Sequence, residues 1–397
     1  MTLTNLHKTP WPWFGGKSDA APAVWDAIGD VPHYVEPFAG SLAVLLRRPH
    51  EANRTYYSET VNDLDGLLVN AWRSMQMSPD AMADAASWPV SEADLHARHV
   101  AIVKWRADNQ LEHLMGDPLF HDPVMAGWWA WGQSCWIGSG WCSGVGPWSA
   151  DASGRLVKGE RTGVKRQRPH LGNNGQGVNR PQAREPGVSR KRPHLGNNGQ
   201  GVNRPQAREP GVSRKLPHLG DDGQERGTGD DFHPMTMPEL TRWFRFLSAR
   251  LRHVRILNGD WKRAVTSGAA FTLPVRMMKG GACGIFLDPP YADTASRTDK
   301  LYAEDSLSVS HEVRAWCEEH GDHPKMRIVL AGFDGEHNAL ESKGWRAVEW
   351  YRKGFLRGGM GNTSKTGKHQ QKRERLWLSP ACLSVAATAQ AQTEIAS

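Results

Sequence analysis

The chain has 397 residues, 39% of them hydrophobic and 23% charged, which is enough apolar material for a buried core and too much length for one small domain. No apolar run approaches the roughly 20 residues a membrane-spanning helix needs, which excludes a membrane span. The first residues lack the apolar centre of a secretory signal, so the cytoplasm is the expected compartment. The net charge of +7 is local: residues 161–220 carry +11 and the rest of the chain −4, a pattern that points to a polyanionic partner rather than to a basic core. Cys135, Cys142, Cys283, Cys317 and Cys382 are odd in number and form no CxxC pair. Neither a disulfide framework nor a zinc site is expected from them.

Taken in order, Trp13-Phe14-Gly15-Gly16-Lys17 places two glycines beside an aromatic ring and a cation. That suits a ligand-facing loop, although Gly-Gly turns are common. His33–Glu36 reads as a strand, Pro37-Phe38-Ala39-Gly40 as a tight turn and Ser41–Leu46 as a helix. Gly40 allows the backbone to approach a ligand closely. Without a G-x-G-x-x-G pattern the turn is no pyrophosphate cradle. Thr55–Ser58 reads as a second strand, with Glu59 and Asp63 at its end. An acid there suits ribose hydroxyls or, equally, a helix N-cap. Asp65–Met75 carries Leu67, Leu68, Ala71, Trp72 and Met75 at helical spacing.

Ser78–Leu114 reads as polar helix. The following stretch concentrates Trp128, Trp129, Trp131, Trp136, Trp141 and Trp148. Clustered tryptophan reads first as core, with base stacking as the alternative. Next comes an internal duplication: Arg168–Lys191 recurs unchanged as Arg192–Lys215, a period of 24 residues. Each unit offers only Leu, Val and Ala as apolar residues amid dense Gly and Pro, so it cannot offset its ordering entropy. Residues 155–230 are therefore expected to be a flexible basic insertion and not a solenoid. A DNA-contacting arm and a linker without a role stay equally open.

Val254–Leu257, ended by Asn258-Gly259-Asp260, is a strand candidate, as are Gly284–Leu287 and Arg327–Ala331. Strands alternating with helices predict an α/β fold with a mostly parallel sheet, interrupted by a long excursion. The sharpest signal is Asp288-Pro289-Pro290-Tyr291 after the strand at 284–287. A strand end delivers a carboxylate to the mouth of such a sheet. Proline has no N–H, so Pro289 offers only its carbonyl. Asp288 and that carbonyl are two neighbouring acceptors on a stiff turn, matched to the two hydrogens of an exocyclic amine, and Tyr291 can stack on the ring that bears it.

Pro12–Lys17, Val35–Gly40, Asn62–Asp65 and Asp288–Tyr291, in this order, resemble the motifs of the Dam-type (D12 class, alpha-group) adenine-specific DNA methyltransferases of phage and prophage type. The resemblance covers roughly residues 10–75 and 250–380, where Arg327–Phe333, Gly344-Trp345 and Glu374–Trp377 look like closing strands. It implies a Rossmann-like methyltransferase sheet carrying an inserted, mostly helical target-recognition region and a disordered basic repeat. The implied limits are a catalytic domain at 1–76 and 250–380, a Trp-rich recognition region at 77–154, the repeat at 155–230, a helical return at 231–249 and a disordered tail at 381–397. It implies S-adenosylmethionine as methyl donor, duplex DNA as substrate, a flipped adenine whose N6 is methylated, and a role in shielding DNA from restriction. Asp288, Pro289, Pro290 and Tyr291 would be catalytic. Trp13, Lys17, Phe38, Gly40, Asp63 (with Glu59 as rival), Asp260 and Asp288 would face the cofactor, with no metal. The family's Phe-x-Gly-x-Gly is broken here, since Leu42 stands at the second glycine. N4-cytosine methylation, or a non-catalytic DNA-binding protein on the same fold, are the alternatives, and a monomer is the expected state.

Overall fold

A computed structural model describes residues 8–13, 15–49, 58–136, 141–142, 148–150, 156–158, 237–266, 281–290, 308–350 and 373–384. The basic repeat, Phe14 and Tyr291 lie outside the described residues. In chain order the elements are α1 (Ala21–Ile28), β1 (His33–Glu36), α2 (Ala43–Leu46), β2 (Ser58–Asp63), α3 (Gly66–Met77), α4 (Pro79–Ala86), α5 (Glu92–Trp105), a π-turn, α6 (Leu111–Gly116), α7 (Pro123–Cys135), β3 (Trp148–Ala150), β4 (Leu156–Lys158) and α8 (Met237–Leu251). Then follow β5 (Val254–Asn258), α9 (Lys262–Thr266), β6 (Cys283–Leu287), α10 (Val309–His320), β7 (Met326–Phe333), a 3-10 turn, β8 (Arg346–Val348) and β9 (Glu374–Leu378).

Seven strands form one sheet in the order β5-β2-β1-β6-β7-β9-β8, and β3 pairs only with β4. β5, β2, β1, β6 and β7 are mutually parallel, and β9 is wedged antiparallel between β7 and β8. β6 and β7 are buried along nearly all their length, which is why they read as continuous apolar runs. The expected α/β class with a mostly parallel sheet is what the structure has.

One strand reaches further than expected. The second strand includes Ser58–Asp63 and pairs His33 with Ser58, whereas Thr55–Ser58 is expected, of which residues 55–57 lie outside the described residues. Its residues, SETVND, are mostly polar yet largely buried, so hydrophobic alternation does not mark it. Glu59 therefore stands near the start of β2 and not at its end.

The described part of the excursion is helical except for the β3–β4 pair, and its helices share the core of the sheet. Trp11, Trp72, Trp129 and Trp243 belong to one buried cluster with Val24 of α1, Leu45 of α2 and Ile256 of β5. Trp11 packs on Trp72 at 4.5 Å between ring centroids and on Trp129 at 5.2 Å, so the N-terminal loop, α3 and α7 meet at one contact. Arg73 on α3 donates to the carbonyls of Ile256, Leu114 and Asp117, which ties β5 to the α6–α7 connection. The core reading of the tryptophans holds for Trp129 and Trp131, both buried. At the other end, residues 381–384 stay docked: the amide of Leu383 donates to Ala27 at 2.9 Å, and Arg346 donates to the carbonyls of Cys382 and Leu383.

Candidate active site

Chain order runs from β1 outward through β2 to β5, then returns to β6 on the other side of β1. The direction of winding reverses between β1 and β6, which opens a crevice at the carboxyl ends of those strands. Pro37–Gly40 leaves β1 at this edge, Asp63 closes β2, Gly259-Asp260 follows β5 and Asp288–Pro290 follows β6. Glu336 and His337 follow β7, and Glu374 opens the antiparallel β9 at the same edge.

The turn after β1 is held from three sides. Gly40 has φ of +47°, its amide donates to Asp63 Oδ2 at 2.9 Å, and its carbonyl accepts from Trp72 Nε1 at 2.9 Å. A Cβ at this position would lie 2.9 Å from Trp13 Nε1, so glycine is required both by backbone conformation and by the ring packed on it. Leu42 has φ of +53°. The residue that replaces the motif's second glycine thus adopts the left-handed conformation a glycine would take without strain.

Asn62 secures the neighbouring loops. Its side-chain amide donates to Pro37 O at 3.1 Å and to Gly259 O at 2.9 Å, so one buried residue joins the turns after β1 and β5. Asp63 accepts from Gly40 on one oxygen and from the amide of Asp65 on the other, at 2.9 Å. Burial pushes its carboxyl up to about 6, against the pull of those backbone amides. The amide of Leu64 acts on this carboxylate as well, and the lone-pair capacity that remains can accept from a hydroxyl. Phe38 is half-buried and stacks on Trp261 at 6.0 Å. Asp260 is exposed, and its Oδ1 accepts from the amide of Lys262 at 2.8 Å.

On the β6 side, Lys17 is 4% exposed and its ammonium lies 3.1 Å from Asp288 Oδ1 and 3.8 Å from Glu374 Oε2. It also donates to Gly15 O at 3.0 Å. Burial raises the Asp288 carboxyl above the usual carboxylate range, the Lys17 charge pulls it back, and Glu336 adds to the rise. Glu36, buried at the end of β1, accepts from Tyr34 at 3.1 Å. Burial lifts its carboxyl well above the usual range, and the amide of Leu45 on α2 opposes that lift. One amide of α2, that of Leu45, is therefore satisfied from inside the protein.

Trp13, Lys17, Phe38, Gly40, Asp63, Asp260 and Asp288 thus share the carboxyl edge of the sheet. Glu59 does not. It sits at the opposite end of β2, bound by Arg48 at 2.9 Å and Arg250 at 2.6 Å. Burial works to raise its carboxyl, but the hydrogen bonds and charges of the two arginines outweigh this and hold it below the usual range. Its lone pairs serve the fold. Trp261 carries no motif signal, and Glu374 is legible only as the start of a closing strand, not as a neighbour of Lys17. Asn62 belongs to a motif, but the pattern gives no sign of its role as a staple.

Residues 13–96 match the family model of the D12 class N6 adenine-specific DNA methyltransferases. The matched stretch holds Trp13, Lys17, Phe38, Gly40, Glu59 and Asp63, and ends before Asp260 and Asp288. No curated protein matches the chain. The mostly parallel seven-stranded sheet is compatible with a methyltransferase fold, and the match supports DNA adenine methylation as the class of reaction. No helix among the described residues is long and apolar enough to cross a membrane.

Proposed function

We propose that the chain transfers a methyl group from S-adenosylmethionine to the N6 amine of an adenine flipped out of duplex DNA. The observation that carries this reading is Asp288, held at the mouth of the β1–β6 crevice by a buried lysine, on the sheet whose first strands match the adenine methyltransferase family.

The residues present fit the donor. Lys17 faces Asp288 and Glu374, with Glu336 near Asp288, so this edge carries more acid than base and suits a cationic ligand. Phe38 offers a half-buried ring and Asp63 free lone pairs for the ribose hydroxyls. Asp260, exposed on the turn after β5, is assigned to the adenine of the cofactor. Gly40 lets the chain approach closely, and Trp13 walls that turn. When bound, S-adenosylmethionine supplies a sulfonium methyl group open to in-line attack.

The protein's own contribution is positioning and electrostatics. Asp288 and the Pro289 carbonyl accept the two amine hydrogens and thereby free the nitrogen lone pair from the ring. The Asp288 charge offsets the positive charge that develops on that nitrogen. Pro290 stiffens the turn, and Tyr291, outside the described residues, is assigned to stack on the flipped base. The Trp-rich helices and basic insertion are assigned to target recognition and phosphate contact. The cytoplasm is the proposed compartment.

The test is Asp288→Ala, with labelled S-adenosylmethionine and genomic DNA from a strain that lacks adenine methylation. Transfer should fall by at least about 1000-fold, the scale expected when a main transition-state contact is lost; the melting temperature should fall as well, because buried Lys17 loses its nearest counter-charge, so transfer is measured at a temperature where both proteins are folded. Full activity in the variant would remove Asp288 from the site.

A further inference from the structure

We infer that Arg98, held in a cage of three tryptophans on the helical excursion, binds a backbone phosphate of the duplex DNA substrate. The inference rests on the reading that duplex DNA is the substrate. It adds a contact by a residue beyond the matched stretch and outside every motif in the sequence.

Arg98, on α5, is a buried cation without a hydrogen bond. It is 7% exposed. Its guanidinium carbon lies 4.3 Å from the centre of the Trp131 ring, 5.3 Å from that of Trp88 and 5.5 Å from that of Trp128. Nη1 is sealed from solvent and has no partner, and Nε and Nη2 make no hydrogen bond among the described residues. Asp94 lies one turn earlier, at the spacing of a helical ion pair, yet its carboxylate accepts from Ser91 Oγ at the helix start. No ion pair joins Arg98 to a carboxylate among the described residues. A buried cation without a counter-charge is strongly disfavoured, and aromatic faces attract a cation without accepting its hydrogens in ordinary hydrogen bonds. The unmet demand is for an anion that accepts hydrogen bonds.

The cage orients the guanidinium toward the surface. Trp131 is its buried floor, and Trp88 stands at the rim, 49% exposed. The Trp131 indole donates to the carbonyl of Trp88 at 2.8 Å, which ties floor to rim. With Nη1 sealed, the Nε–Nη2 edge is the one a ligand meets, and two parallel donors on one edge match two oxygens of a phosphate. A guanidinium clamped below an exposed ring is poorly placed to read base edges in a groove, whereas phosphate contacts only position the duplex. The surroundings have the matching sign: from His96 to Arg106 the chain holds Arg98, Lys104 and Arg106 and no acid. The same helix reaches the crevice. Trp128 and Trp131 of α7 hold Arg98, while Trp129 lies 6.2 Å from Trp13, whose ring packs on the Gly40 turn.

The test reads the charge through salt. Full-length wild type, Arg98→Met, Arg98→Gln and Arg98→Lys are titrated with fluorescein-labelled duplexes at about 50–300 mM salt, each below its melting temperature. Methionine and glutamine remove the charge and can still pack between the rings, and either suffices if the other fails to fold. Each should flatten the slope of log affinity against log salt by about 0.9, the share of one phosphate. Affinity should fall roughly five- to tenfold at 0.1 M salt, by the same factor on duplexes of unrelated sequence. The Lys variant should keep the wild-type slope. A wild-type slope in the neutral variants, a slope flattened in Lys as much as in Met, or a loss confined to one duplex sequence would each overturn the contact. Loss of folding in both neutral variants would show that the cation serves the fold, and would overturn it as well. Inorganic phosphate, titrated into wild type by calorimetry, tests the other source of the same chemistry. No saturable heat is expected, and saturation at micromolar phosphate would assign the cage to a free anion instead of DNA. In all these cases wild type still binds DNA and the proposed function stands. A wild-type protein that binds no duplex DNA would sink the functional reading first, and this inference with it.

Discussion

The amide of Gly40 donates to the carboxylate of Asp63 at 2.9 Å, so the turn after β1 and the end of β2 move as one piece. The acid assigned to the ribose hydroxyls is thereby also the acid that shapes the glycine turn. Its carboxyl is raised to about 6 from an ordinary 3.8. Cofactor affinity should therefore weaken as pH falls through 6, by up to about tenfold per unit below it. The linkage to stability has the opposite sign. A raised folded-state value means the native protein binds this proton more tightly than the unfolded chain, so the group costs stability above pH 6, and that cost disappears between 6 and 3.8. Weakened binding at pH 5 should thus occur without unfolding caused by Asp63. Calorimetric titration of S-adenosylmethionine from pH 8 to 5 checks this, and an Asp63→Asn variant should show a flat profile over the same range.

Leu42 sets a conformational cost against burial. It is fully buried and left-handed. The left-handed conformation costs a non-glycine residue about 1–2 kcal/mol, while truncating a buried leucine costs about 2–5 kcal/mol. Burial outweighs strain, so Leu42→Gly should still destabilise the protein. Leu42→Ala loses the same packing and keeps the strain. The glycine variant should therefore be the more stable of the two by about 1 kcal/mol, the reverse of the usual order. Urea unfolding of the pair measures it. An alanine variant more stable than the glycine variant would show that the turn relaxes when Leu42 is cut back.

Glu59 sits under two arginines, Arg48 and Arg250. Neutralising it as Glu59→Gln leaves buried guanidinium charge with too little compensation, and about 3–5 kcal/mol of stability should be lost. Below the unfolding transition, cofactor affinity should change little, since the residue lies at the far end of β2 from the crevice. Chemical denaturation with calorimetry on the same variant distinguishes this from a ligand-binding role. A stable variant that has lost cofactor affinity would restore Glu59 to the site.

Each unit of the 24-residue repeat carries five Lys and Arg and one Glu. If these side chains meet phosphates, deleting residues 168–215 should reduce the slope of log affinity against log salt by several units, up to about 7. The methylation rate at saturating DNA should be nearly unchanged. Fluorescence anisotropy with duplex DNA at 50–300 mM salt, conditions in which counterion release is resolved, gives the slope. An unaltered slope would make the repeat a spacer.

The chain by itself determined the class of fold and the chemistry offered at its loops. β6 and β7 are continuous apolar runs because both faces of a central parallel strand are covered, and such runs are legible without a structure. The Asp288 turn, the Gly40 turn and the Gly15-Gly16-Lys17 loop are local in sequence, so their chemistry could be read where it stands. Tertiary structure alone decided what these pieces face. β2 escaped the pattern because Glu59 is buried by arginines that lie 11 and 191 residues away. That Asp63 and not Glu59 stands at the crevice follows from strand direction, which determines which end of β2 opens there. Glu374 reaches Lys17 because β9 is inserted antiparallel beside β7. No periodicity encodes that contact, because the two charges are brought together only by the closing of the sheet.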